Sequence, residues 1–353
     1  MIGPEALPPQ LTIKNSNMRA LSLPLLFLVL LTGCGEDPAP TTDPYAFVTP
    51  AHFPPPVYDF GRNPVTEAGF KLGKRLFNEL RLSRDGSVSC ATCHQRAVAF
   101  ADPQHRVSVG VDERSGTRNA PGLFNLAFTS EFMLDGGIAH LDFVPINAIT
   151  SPVEMDESLG NVVEKLKATP DYRAQFRQAF GVDTITSGLL FQALSQYQLL
   201  LVSDRSKYDD VVLGRNNAAF TGAEARGLAL FQTHCAGCHA GELFTDGSYR
   251  NNGLDAADEL DEGRALITET AADRGKFRVP SLRNVERTRP YMHDGRLETL
   301  EEVLDHYRGG VRNSSTLDPA LADGIRLTAA EAADLIAFLE TLTDWALVRD
   351  ERF

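Results

Sequence analysis

The pattern that most restricts what this chain can fold into is Cys-x-x-Cys-His, present twice, as Cys90-Ala-Thr-Cys93-His94 and Cys235-Ala-Gly-Cys238-His239. Two thiols one helical turn apart form thioethers with the vinyl groups of a haem, and the histidine that follows supplies the proximal nitrogen to iron. The competing reading is structural zinc, but a zinc knuckle wants further cysteines or a spaced histidine pair near the motif. The sequence therefore predicts two haem c groups, with His94 and His239 as axial ligands. The two units take four of the five cysteines, so none remains to form a disulfide.

The fifth cysteine, Cys34, follows Leu31-Thr32-Gly33 and an apolar run from Ala20 to Leu31 with Arg19 at its front. This is the layout of a lipoprotein signal peptide over residues 1–34, with Cys34 as the lipidated first residue of the mature chain. The run is too short to span a membrane. Pro4, Glu5, Pro8 and Pro9 suit no such leader, so Met18 is the expected start. The Pro-rich stretch 35–60 lacks periodicity and reads as a mobile tether. Bacteria attach c-type haems outside the cytoplasm, so the expected location is the periplasm, lipid-anchored to a membrane. A net charge of −13 argues against nucleic acid and anionic lipid surfaces as partners, while an acidic surface steers basic proteins.

The remaining chain reads as mainly α-helical. Pro64 to Leu80 carries Val65, Ala68, Leu72, Leu76 and Phe77 near one helical face, with Asn63 as the expected cap. Thr221 and Glu224 have capping-box spacing ahead of a second helix, as do Thr328 and Glu331 near the C-terminus. Gly73-Lys-Arg-Leu-Phe77 before the first haem motif parallels Gly227-Leu-Ala-Leu-Phe231 before the second. The parallel predicts a duplicated cytochrome c-like domain, the first over 61–212 and the second over 213–353. Helical spacing also marks 159–168, 171–180 and 186–202.

Several further segments, taken in order, resemble the bacterial di-haem cytochrome c peroxidases and their MauG-type relatives. They are Leu82-Ser83, Ser89 to His94, Arg118-Asn-Ala-Pro121, Asp135-Gly136, Pro152-Val-Glu-Met155, Phe277 to Asn284, and Pro290-Tyr-Met-His-Asp-Gly295. The resemblance implies a peroxidatic N-terminal haem and a six-coordinate C-terminal haem that relays electrons. It places Val111 where peroxidases carry a loop histidine that closes the first haem; a hydrocarbon cannot ligate iron, so the pocket is expected to stay open. His105 is the alternative ligand there. Glu154 matches the distal glutamate, the acid-base group that moves a proton between the peroxide oxygens. Tyr307 stands at the position of the second haem's sixth ligand, with Met292 as its rival and a plain packed aromatic as the remaining alternative.

The resemblance also implies a calcium ion held by the Asn119 side chain and the Thr288 and Pro290 carbonyls, hydrogen peroxide as substrate, a small cytochrome c or cupredoxin as donor, and a homodimer. Arg118, Arg278 and Arg283 are candidates for the haem propionates, with surface salt bridges as the equal alternative for any one of them. Two positions depart from the family: Leu134 stands where a tryptophan usually lies between the haems, and Val144 where a glutamine is common. The function implied is a di-haem peroxidase. A MauG-like oxidase of a partner protein and a non-catalytic electron carrier are the alternatives.

Overall fold

The computed structural model describes residues 43–259 and 261–353. The expected signal peptide, lipidated Cys34 and start at Met18 lie outside the described residues. Asp43 to Phe353 forms one compact unit, mainly helical, with a single two-stranded antiparallel sheet among the described residues, β1 (Tyr249–Arg250) and β2 (Phe277–Arg278).

Each haem motif follows one helix of a tightly crossed pair. In the first half, Glu67–Phe77 packs on Ser187–Leu199; in the second, Gly222–His234 packs on Ala329–Glu340. The glycines of the repeated pattern make both crossings possible. A Cβ on Gly73 would lie 2.0 Å from the Ala193 carbonyl oxygen, and one on Gly227 would lie 2.0 Å from that of Asp334. Both capping boxes form as expected, at Thr221 with Glu224 and at Thr328 with Glu331. The first helix differs at its start. Thr66, not Asn63, caps it, because the Asn63 amide is taken by Tyr58, Gln192 and Gln196.

Burial divides into three apolar clusters. One centres on Leu72, Leu76, Phe77, Leu194 and Tyr197, a second on Phe231, Phe244, Leu335 and Phe338. The third joins Phe53, Phe128, Leu141 and Leu199. This third cluster corrects the expected tether. Within 35–60 the aromatic side chains of the described residues pack, although Val48 and Val57 stay exposed: Tyr45 tilts against Phe70 with centroids 5.1 Å apart, Phe47 stacks on Phe60 at 4.3 Å, and Phe53 meets Phe128 edge-on. Prolines space these aromatics so that each reaches the body of the protein, a pattern that a search for helical or strand periods does not register.

Contacts cross the expected boundary at 212/213 in both directions. The helix Lys207–Val212 turns toward the second half, where Tyr208 packs edge-on against Phe244 at 4.9 Å. Its Asp209 holds the Arg283 guanidinium through two 2.8 Å bonds, with both side chains fully buried. Conversely, Leu347 and Phe353 return to the first cluster. Ser203 stands at the crossover: its carbonyl accepts from the Asn125 amide and its hydroxyl from the Asn284 amide.

Candidate active site

The two proximal histidines are held in the same way. His94 Nδ1 lies 2.8 Å from the Phe100 carbonyl, and His239 Nδ1 lies 3.1 Å from the Pro280 carbonyl and 3.3 Å from that of Phe244. A carbonyl only accepts, so Nδ1 carries the proton in each ring and Nε2 is left as the bare nitrogen that iron requires. Burial lowers both imidazole pKa values, which keeps the rings neutral. Phe100 and Phe244 reach these positions with φ of 61° and 53°, a strained conformation for an aromatic residue that persists only where the surroundings fix it.

Around these histidines the chain repeats itself more extensively than the haem motifs alone reveal. Pro121, Leu123, Asn125, Phe132, Met133, Asp135 and Gly136 each have a counterpart 159 positions later, at Pro280, Leu282, Asn284, Tyr291, Met292, Asp294 and Gly295. The backbone repeats too. Asn125 and Asn284 have φ of 57° and 59°, Met133 and Met292 67° and 74°, and the bridges Phe132 to Ile138 and Tyr291 to Leu297 correspond. The constant offset was the signal in the sequence for this second tier of the site.

A cavity of about 510 Å³ is lined by Cys235, Cys238, His239, Met292 and Tyr307 on the side of the second motif, and by Asn119, Pro121, Leu134, Thr288 and Pro290 toward the first. Its donors suit haem c: a thiol pair, a neutral imidazole and one unused cation. Of the three arginines considered for propionates, two are committed elsewhere. Arg118 is paired with Asp135 and Asp261, and Arg283 with Asp209. Arg278 lines the cavity and its Nε is buried without a hydrogen-bond partner, so it is the guanidinium left to meet a carboxylate. Among the described residues no three His, Cys, Asp or Glu side chains converge as zinc ligands.

The distal surroundings differ between the halves. Near the first motif, Val111 is fully buried and its N–H donates to the Glu154 carbonyl at 2.8 Å. Glu154 itself is half-buried, and burial alone, with no hydrogen bond or charged partner, raises its carboxyl above the ordinary glutamate range. His105 is tied to Asp102, with Nδ1 2.9 Å from the carboxylate, and stays partly exposed. On the second side, Tyr307 sits in a short π-helical turn, His306–Gly310, and burial raises its phenol pKa. Such turns recur at functional sites because they re-aim one side chain. Met292 also lines the cavity, and the Asn252 amide nitrogen lies 3.3 Å from its sulfur.

The Glu154 backbone is held by a close approach. A Cβ on Gly110 would lie 2.2 Å from the Glu154 carbonyl oxygen and 2.4 Å from its Cα. Gly110→Ala is expected to push the Glu154 loop away and to destabilise the protein by about 1–3 kcal/mol, the usual cost of overpacking. Urea unfolding measures this, and an unchanged midpoint would show that the loop yields freely.

The departures from the family stand as the sequence indicated. Leu134 faces the cavity. Val144 joins the third apolar cluster and offers no donor. Trp345 is 39% exposed, between Arg287 and Arg349 with ring-to-guanidinium distances of 5.2 and 4.9 Å, and does not line the cavity. Asn119, Thr288 and Pro290 do share one wall of the cavity. The Asn119 amide nitrogen donates to the Arg106 carbonyl at 3.0 Å, so its oxygen is the atom a cation would find.

Two cytochrome c-like halves, each presenting a Cys pair and a tautomer-fixed histidine, define a di-haem c-type protein of the oxidoreductase class. Residues 67–217 match the family described as di-haem cytochrome c peroxidase, and residues 224–343 match cytochrome c. The methylamine utilization protein MauG of Methylorubrum extorquens is 41% identical over 79% of this chain and 79% of the relative. Cytochrome-c peroxidase IdrP1 of a Pseudomonas species is 32% identical over 82% of this chain and 84% of its own length. A crystal structure of a MauG-like protein associated with microbial copper homeostasis superposes with a TM-score of 0.80 at 34% identity, covering 86% of this chain and 97% of that one. The chain belongs to the di-haem cytochrome c peroxidase and MauG family.

Proposed function

We propose that the protein reduces hydrogen peroxide to water beside His94, with electrons entering near His239 from a small cytochrome c or cupredoxin. The observation that carries this is the unequal pair of distal environments: an unpartnered, half-buried carboxyl, Glu154, beside the hydrocarbon Val111 on one side, and the phenol of Tyr307 on the other. Haem, when bound, supplies the iron that breaks the peroxide O–O bond and a store for electrons. Glu154 takes the proton from one peroxide oxygen and returns it to the other, so that the departing group leaves as water. The same reading has the protein work in the periplasm, with lipid on Cys34 as its anchor; the apolar run from Ala20 to Leu31 ahead of Thr32-Gly33-Cys34 supports it. Calcium bound by Asn119, Thr288 and Pro290 has hard oxygen donors of the right kind.

Tyr307 and Val111 favour a second activity, oxidation of a partner protein, the role carried by MauG-type members. Anaerobic peroxide titration of the ferric protein, with and without a reduced cytochrome, separates the two. Rapid oxidation of the cytochrome supports the peroxidase. A long-lived oxidised state that leaves the cytochrome untouched supports the partner oxidase, and haem spectra indifferent to peroxide leave only an electron carrier.

Tyr307 is the proposed sixth ligand near His239. An anionic oxygen stabilises ferric iron relative to a thioether, so Tyr307→Phe should raise the reduction potential of one haem and alter its ferric spectrum. Met292→Leu should change neither. The opposite pattern in spectroelectrochemical titration would assign the ligand to Met292.

A further inference from the structure

Leu134 lines the cavity that contains Cys235, Cys238 and His239 and offers no oxidisable side chain there. The surrounding residues supply one, from strand β1. Tyr249, on β1, pairs in register with Arg278 on β2, and the Arg278 N–H donates to the Leu134 carbonyl at 2.8 Å. The Tyr249 ring thus lies one strand away from Leu134. Its phenol donates to Glu131 Oε2 at 2.9 Å, and Glu131, Leu134 and Arg278 all line the cavity that contains Cys235, Cys238 and His239. The cavity also reaches Pro121, whose backbone faces His94.

We propose that Tyr249 and Glu131 form a proton-coupled redox pair that carries oxidising equivalents past Leu134. In the step, the Tyr249 O–H bond breaks, one electron passes to an oxidised haem site, and the proton moves to the Glu131 carboxylate. Re-reduction by the electron donor returns the electron to the phenoxyl, and the proton comes back from Glu131.

The packing is arranged to hold this pair together. Arg264 stacks its guanidinium 4.1 Å above the Tyr249 ring, donates to Glu131 Oε1 at 3.1 Å, and is itself fixed by the Asp135 and Gly136 carbonyls, each at 3.0 Å. Gly136 has no side chain because a Cβ there would lie 1.8 Å from the Tyr249 oxygen. Removing a phenol electron without its proton is costly, and partial burial and Glu131 raise this phenol's pKa to about 12. A base already in hydrogen-bond contact removes that obstacle. Tyr249 is a relay residue and Glu131 a positioning residue that accepts its proton.

The inference takes its oxidant from the peroxide activity proposed above, so its test has two arms. In one, donor-free protein is mixed anaerobically with peroxide and freeze-quenched; in the other, a flash-generated ruthenium(III) complex replaces peroxide. Electron paramagnetic resonance with ring-deuterated tyrosine then reads the radical. Wild-type protein should give a tyrosyl signal in both arms, and Tyr249→Phe should lose it. Glu131→Gln should form it several-fold more slowly, without the solvent deuterium isotope effect of the wild type. A signal that survives in Tyr249→Phe, for example on the buried Tyr197 or on Tyr45, overturns the proposal. If peroxide leaves the haem spectra unchanged, the peroxidase reading fails and the flash arm alone decides the role of Tyr249.

Discussion

Glu154→Gln should keep both haems attached and lower peroxide turnover by about 10²-fold or more, the usual contribution of a positioned acid-base group. The amide fills the same space beside Val111 and cannot take a proton from peroxide. Burial raises the carboxyl, so the activity of the unsubstituted protein should fall on its acid side at a higher pH than an ordinary glutamate would give. Stability carries the same sign. A group whose folded pKa is raised contributes stability that is fully present below its unfolded value, about 4.3, and is lost as pH rises through the folded value. At neutral pH Glu154→Gln should therefore unfold at a slightly higher temperature than the parent. Stopped-flow kinetics and calorimetry on the same preparation check both, and undiminished turnover would remove Glu154 from the chemistry.

Asp209→Ala should cost about 3–5 kcal/mol, the loss expected when one partner of a buried ion pair is removed and the other stays. Asp209 accepts two bonds from Arg283, two from Ser206, and lies 3.1 Å from His52 Nε2. Burial acts to raise its carboxyl, but Arg283 and Ser206 outweigh that and hold it below the ordinary range. Its contribution is thus present above the unfolded aspartate value and fades as pH falls through the folded one. Arg283 is also clamped between rings, 4.7 Å from Phe53 and 5.7 Å from Phe244. The double variant Asp209→Ala with Arg283→Met should recover part of the loss, because no charge is then stranded. Denaturant unfolding of the three proteins measures it, and a loss under about 1 kcal/mol for Asp209→Ala would mean that water reaches Arg283.

The haem motifs and the capping boxes at Thr221 and Thr328 were legible because each depends on a few neighbouring residues. Gly73 and Gly227 could be paired from sequence alone, although the reason, a backbone carbonyl 2.0 Å from any Cβ, required the structure. Long-range bonding was not legible. Nothing near Arg118 or Arg283 reveals that their partners, Asp261 and Asp209, lie 143 and 74 positions away, so the sequence leaves propionate and salt bridge equally open for each, and of the three arginines Arg278 alone is without such a partner. The packed stretch from Tyr45 to Phe60 was missed for a related reason. Its aromatics are spaced by prolines and find their partners across the molecule, leaving no local period.

The repeat with a constant 159-residue offset is written in the sequence but out of frame with the Cys-x-x-Cys-His units, which are 145 positions apart. In physical terms, the second half carries more chain between its haem motif and Pro280 than the first does before Pro121, and Tyr249 lies within that longer stretch.

The return of residues 345–353 to the first apolar cluster, where Leu347 is buried and Phe353 meets Phe70, Phe100 and Tyr197, ties assembly to the order of synthesis. Chains are made from the amino end, so the helices that carry most of the first cluster emerge long before Leu347 and Phe353, which complete it. The first cluster is therefore finished last, after the whole second half has been made.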